Sequence, residues 1–126
     1  MPGSHRRDLG AAGEAAAAAW LAARGYALLA RNVRTRYGEI DLVVRQGSLV
    51  VFVEVKSRTS EAFGHPAEAI MLLKQHRLAR LAAAYLHRWS LDHCAVRFDA
   101  ISVRLDASGS ISEIEHIRDA FQIGDS

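Results

Sequence analysis

Two neighbouring stretches, Gly38-Glu39-Ile40-Asp41-Leu42-Val43 and Val51-Phe52-Val53-Glu54-Val55-Lys56, set carboxylates beside one of only 2 lysines in a chain of 126 residues. Val50, Phe52, Glu54 and Lys56 alternate with Val51, Val53 and Val55, so an extended strand projects a carboxylate and an ammonium from one side of an otherwise apolar segment. Charge in such surroundings needs a partner or a task. If Gly47-Ser48 closes a two-residue hairpin, Gly first as a type II′ turn prefers, the numbers of opposed residues sum to 95. Asp41 then faces Glu54 and Glu39 faces Lys56, with opposed Cβ atoms roughly 4.5 to 5.5 Å apart. A three-residue loop from Gln46 to Ser48 would put Asp41 on the opposite face unless a bulge restored it, and the two-residue loop is the reading adopted.

Carboxylates set opposite one another repel, and a bound cation resolves the conflict. Oxygen donors on rigid strands suit a hard divalent ion such as Mg2+, which takes one or two protein carboxylates together with water and substrate phosphate. A lysine two residues along the same face can position a water or stabilise charge on a phosphate under attack. These are the parts of a phosphodiesterase site. The plainer alternative is a pair of cross-strand salt bridges, Lys56 with Asp41 or Glu39, on a solvated sheet face. Against it stands the composition: the chain uses 14 Arg and 2 Lys, so Lys56 departs from a background of arginine, and lysine is the compact, deprotonable cation. The strand around it is also as hydrophobic as a central strand should be.

Asp41 followed by Glu54-Val55-Lys56 resembles the PD-(D/E)XK nuclease superfamily, and more closely its Holliday-junction-resolvase-like branch. Within that branch, Gly-Glu-Ile-Asp-Leu, then Phe-Val-Glu-Val-Lys-Ser-Arg, then Phe63-Gly64 and Arg97-Phe98-Asp99, is similar to the bacterial YraN family, over about Gly10 to Val103; Ile40 stands where the superfamily's name has proline. The resemblance implies an α/β fold with a restriction-endonuclease-like core, a central mixed β-sheet flanked by α-helices. It implies a metal-dependent endonuclease acting on structured or branched DNA, with Mg2+ as cofactor and Mn2+ able to substitute. Asp41, Glu54 and the Val55 carbonyl would hold the metal, Glu14 would complete the shell, and Lys56 would orient the attacking water. Glu39, Ser57 and Arg58 beside the motif become candidate substrate contacts. A homodimer with two sites about a twofold axis and a partner in DNA repair or recombination are implied in the same way.

The elements that must position these residues read as one domain over residues 1–126, with 1–7 frayed and 118–126 a tail. Asp8 can cap a helix running to Arg24, closed by Gly25. At helical spacing Glu14 neighbours Gly10, Ala17, Ala18 and Leu21, a face of small or apolar residues that lets the helix lie close to the sheet; the glutamate is either buried and partnered or an acid at the border of that stripe. A strand follows at about Ala27 to Arg34. Beyond Lys56, residues 59–65 form a loop placed to close over substrate, and Pro66 opens a helix to about Arg88. Its Met71, Leu78, Ala82 and Tyr85 point to the core, whereas Arg77, Arg80, His87 and Arg88 gather on another side. Lys74, Gln75 and Arg77 are candidate substrate contacts. Two strands, about Ala95 to Arg104 and Ile111 to Ile117, end the fold, and Asp99 in the first is the structural partner of an arginine.

Composition narrows the function classes. Residues 1–88 carry a net charge of +6 and residues 89–126 one of −4, so the basic portion holds the motif and suits a phosphate backbone. A lone cysteine, Cys94, excludes an intrachain disulfide and a thiolate zinc set, and His65, His76, His87 and His116 lack ligand spacing. No apolar stretch approaches the roughly 18 residues of a membrane span and no signal-peptide core follows the charged N-terminus, so the expectation is a cytoplasmic protein with no membrane partner. Three hypotheses follow: the endonuclease, a nucleic-acid-binding module of the same architecture acting through a partner, and a metal-binding structural protein.

Overall fold

The computed structural model describes the backbone of residues 2–59 and 72–120, and the side chains of residues 10–59 and 76–120. Helix α1 spans Pro2–Ala23, reaching back past Asp8 to a proline at its first position, where the missing N–H has no use in the helix. Its C-terminus closes as a Schellman motif: the Tyr26 N–H donates to the Leu21 carbonyl at 3.0 Å and the Gly25 N–H to the Ala22 carbonyl at 3.1 Å. Tyr26 and Leu21 are both buried there, which fixes the angle at which the chain enters the sheet.

Five strands follow, β1 (Ala27–Thr35), β2 (Gly38–Gln46), β3 (Leu49–Thr59), β4 (Ala95–Leu105) and β5 (Ile111–Ile117), in one sheet of order β1-β2-β3-β4-β5. β1, β2 and β3 are antiparallel neighbours, β3 and β4 run parallel from Leu49↔Ala95 to Thr59↔Leu105, and β5 returns antiparallel to β4. The parallel pair needs a crossover, and helix α2 (Leu72–Arg88) lies on it. The fold is thus α/β with a mixed sheet between helices, consistent with a restriction-endonuclease-like core.

Each face of the sheet buries its own cluster. Ala17, Ala18 and Leu21 of α1 pack on Leu42, Val44, Val51, Val53, Ile101 and Val103. Leu78, Leu81 and Tyr85 of α2 pack on Ile40, Val43, Val50 and Phe52. β3 is covered on both sides, which is why it reads as a continuous apolar run rather than an alternating one. Leu78, Ala82 and Tyr85 are buried and Arg77, Arg80, His87 and Arg88 exposed, as helical periodicity requires. Residues 60–65, Pro66 and Met71 lie outside the described residues. Asp99 is fully buried and accepts from the Arg97 guanidinium at 2.8 Å, from the Asp119 N–H at 2.9 Å, and lies 2.8 Å from His116 Nε2. It is the structural partner of an arginine that the strand suggested. Among the described residues no helix is long and apolar enough to cross a membrane.

Candidate active site

The β2–β3 hairpin closes through Gly47-Ser48, and the register runs from Gln46↔Leu49 to Leu42↔Val53. Gly47 has φ 60 and Ser48 is not among the positive-φ residues, the signature of a type II′ turn. The two-residue loop and its register are therefore as the sequence predicts. The ladder stops one pair before Asp41 would meet Glu54. A two-residue hairpin makes 46/49, 44/51 and 42/53 hydrogen-bonded pairs, so the next bond would carry the Val55 N–H to the Ile40 carbonyl. Instead the Val55 N–H donates to Asp41 Oδ2 at 2.7 Å.

The cause is a turn in the β1–β2 ribbon. Leu42 packs in the α1 cluster and Ile40, two residues away, in the α2 cluster; across the ribbon Ala30 and Val33 both pack on the α2 side. The pairing runs Arg31↔Leu42 and then Val33↔Ile40, passing over the Asn32–Asp41 rung between them. Asn32 takes the left-handed conformation, φ 50, open to asparagine and strained for most other side chains. Both strands thus change face at this rung. Beyond it β2 leaves β3, while β3 keeps β4 as partner through Thr59. Asp41 consequently points along the sheet toward the β3 edge, whereas sequence arithmetic projected it from a face directly opposite Glu54. Because N–H and C=O of one strand residue point the same way, the Val55 carbonyl also faces the gap that β2 opens.

Glu54 and Lys56 follow the alternation of Val50 and Phe52 and meet each other, Lys56 Nζ lying 3.6 Å from Glu54 Oε1. Glu54 is buried at 8 % exposure and Lys56 is half-buried. Glu14 sits on α1, where the Asn32 amide, oriented to donate, places its nitrogen 3.2 and 3.3 Å from the two carboxylate oxygens. Gly13 explains the helix's reach. A Cβ at this position would collide with Ser57 Oγ and lie 3.1 Å from Ser57 Cβ, so glycine lets α1 descend on β3 here and carry Glu14 to the rung without displacing Ser57. Ser57 therefore serves as the floor under α1. Burial, then the charges of Glu14, Glu54 and Glu39, push the Asp41 carboxyl up to about 6 against the pull of the Val55 N–H.

Glu39 requires a correction. It pairs across β1 with Arg34, at 3.3 Å between Oε2 and Nε, and not with Lys56, because β2 has already left β3 at that point. Arg58 is half-buried two residues beyond Lys56, and Arg77 is exposed on α2. Lys74 and Gln75 lie in α2, with side chains outside the described residues. Among the described residues no three His, Cys, Asp or Glu groups gather closely enough to hold an ion, so Glu14, Asp41 and Glu54 do not form a closed cage. Asp41 and the Val55 carbonyl face the gap and Glu54 immediately precedes Val55 on β3, a small oxygen set of the kind that suits the sparing use of protein ligands by Mg2+. Sequence reasoning missed Asn32. Its signal was an asparagine within a strand of Ala, Leu, Arg and Val, where asparagine is disfavoured unless a special backbone angle needs it.

The chain matches the model of the Uncharacterised protein family UPF0102 over residues 13–103, the span containing Gly13, Glu14, Asn32 and the whole hairpin. A UPF0102 protein of Symbiobacterium thermophilum is 49 % identical over 105 residues, covering 83 % of this chain and 89 % of its own. One from Moorella thermoacetica is 47 % identical over 116 residues, covering 92 % and 97 %. One from Caldicellulosiruptor saccharolyticus is 39 % identical over 117 residues, covering 93 % and 99 %. With a family match across most of its length and relatives aligned nearly end to end, the chain belongs to the UPF0102 family, the YraN family to which its two-strand motif pointed.

Proposed function

We propose that this protein is a divalent-metal-dependent endonuclease acting on structured or branched DNA. The observation that carries the reading is the Asp41 carboxylate at the ribbon turn, held by the Val55 N–H in a half-buried place where three further carboxylates act on it. A fold built only for stability would put an apolar residue there; a site for a cation needs the charge. Asp41, Glu54 and the Val55 carbonyl would hold Mg2+ or Mn2+, which when bound supplies Lewis-acid polarisation of the phosphate and a lowered pKa for attacking water. Glu14 supports the site from α1 through Asn32. Lys56 Nζ, on a half-exposed stem, orients the water or donates to a phosphoryl oxygen once drawn from Glu54.

The Lys56–Glu54 contact also favours a second reading, a nucleic-acid-binding module acting through a partner, because the two charges already offset one another. Turnover separates them. Branched, flapped, single-stranded and duplex DNA, and RNA, are incubated with Mg2+ or Mn2+ and the parent chain, Asp41→Ala, Glu54→Ala or Lys56→Ala, with circular dichroism to confirm folding. The expected result is cleavage of a branched substrate by the parent, near-complete loss in either acid variant, and loss of rate in Lys56→Ala with little change in metal affinity. Equal cleavage by folded Glu54→Ala and parent would end the endonuclease reading, and binding without cleavage by the parent would establish the second.

A further inference from the structure

A second feature lies where β2 begins. Between the β1–β2 turn and α2 is a cleft of about 600 Å³ whose lining includes Arg36, Tyr37, His76, Arg77 and Arg80 and, among the described residues, no carboxylate. The charged side chains come from two separate elements, so their convergence is a product of the fold. Tyr37 organises it. Arg36 donates to the Tyr37 hydroxyl at 2.8 Å and its guanidinium lies 4.9 Å from the ring centroid, while the Arg80 guanidinium approaches the same ring from α2 at 6.0 Å. Among the described residues none of Arg36, Arg77 and Arg80 forms an ion pair, in contrast to Arg34 with Glu39 and Arg97 with Asp99. Three guanidiniums lining one concavity repel one another, a conflict that a bound polyanion removes.

We propose that this cleft is a phosphate-backbone subsite for nucleic acid, seating the strand a short distance from the bond cut at Asp41. The inference rests on the endonuclease reading for the position of that bond. The connection runs along β2, because Gly38 lines the cleft and Asp41 lies three positions further on, at most about 10 Å away at strand rise. The planar donor forks of arginine suit phosphate oxygens, and arginine is the cation used throughout the lining. A polymer fits better than a free nucleotide because the same β2 strand carries both the cleft's Gly38 and Asp41, where the proposed cleavage acts on a phosphodiester.

The test is fluorescence anisotropy with labelled single-stranded, duplex and branched DNA in EDTA across a salt series. It compares the parent with Arg36→Ala/Arg77→Ala/Arg80→Ala, the same three positions changed to Lys, and a control of equal charge loss elsewhere, Arg24→Ala/Arg31→Ala/Arg118→Ala. The expected result is at least a tenfold loss of affinity in the alanine cleft variant, with a salt slope shallower by about 2 to 3, at roughly 0.7 to 0.9 per phosphate contact. The lysine variant should keep most of the slope, and the control should shift little. Parent-like affinity and slope in the folded alanine variant would overturn the cleft, even if the parent cleaves. Equal losses in cleft and control variants would also overturn it, as would a parent that binds inorganic phosphate or AMP there and no oligonucleotide. If the parent binds through the cleft but cleaves nothing with Mg2+ or Mn2+, the cleft stands and the endonuclease reading falls.

Discussion

Replacing Asp41 with Asn removes a charge that burial and three neighbouring carboxylates oppose, while keeping an oxygen able to accept from the Val55 N–H. The ordinary carboxyl value of 3.8 describes the unfolded chain, and about 6 the folded protein. Between those values the folded state holds the proton more tightly, so stability falls as pH rises and the whole penalty is present above about pH 6. The difference corresponds to about 3 kcal/mol at pH 8 and to well under 1 kcal/mol at pH 4. Asparagine never ionises and escapes this term, though its neutral oxygen accepts the Val55 N–H less strongly, by about 1 kcal/mol. Asp41→Asn should therefore be more stable than the parent at pH 8, by roughly 2 kcal/mol, and equal or slightly weaker at pH 4. Urea unfolding followed by circular dichroism in EDTA at both pH values measures this directly. Added Mg2+ at pH 8 should raise the midpoint of the parent and leave the variant unmoved, because ligand binding stabilises only the state that binds it. A variant destabilised at pH 8 by as much as at pH 4 would show that the Asp41 carboxylate is an ordinary structural acceptor, and the argument for a cation there would lose its electrostatic support.

Asp99→Asn should behave oppositely. Burial raises that carboxyl, but His116, Arg97 and the Asp119 N–H together hold it below its ordinary value, so its contribution is present above about pH 4 and lost as pH falls through the folded value. Leaving the half-buried Arg97 without its charged partner should cost about 1.5 to 3 kcal/mol at pH 7, read as a drop in denaturation midpoint; a loss under about 0.5 kcal/mol would refute it. On α1, Gly10→Ala meets nothing within 4 Å and should stabilise by up to about 1 kcal/mol through helix propensity. Gly13→Ala drives a methyl into Ser57, so that gain should be cancelled or reversed, with cleavage falling as Glu14 is lifted from the rung. Equal stabilisation by both would mean that α1 does not need close approach at Gly13.

The sequence alone carried the elements and the chemistry in play. The apolar run from Leu49 to Val55, broken only by Glu54, marks β3, Gly47-Ser48 selects a two-residue turn whose register follows from counting, and helical spacing sorts Leu78, Ala82 and Tyr85 from Arg77 and Arg80. These are local properties, set by side-chain period and turn stereochemistry within a few residues. The tertiary structure decided where the register ends. Counting from the turn carries Asp41 opposite Glu54 and Glu39 opposite Lys56, because arithmetic cannot register that Ile40 is drawn into the α2 cluster and Leu42 into the α1 cluster. That competition between two cores turns the ribbon at Asn32 and Asp41, frees the Val55 edge, and delivers Asp41 to a backbone N–H. The meeting of Arg36 and Tyr37 with Arg77 and Arg80 is equally invisible in the chain: forty residues and a crossover separate them, and only packing of α2 on the sheet closes the distance.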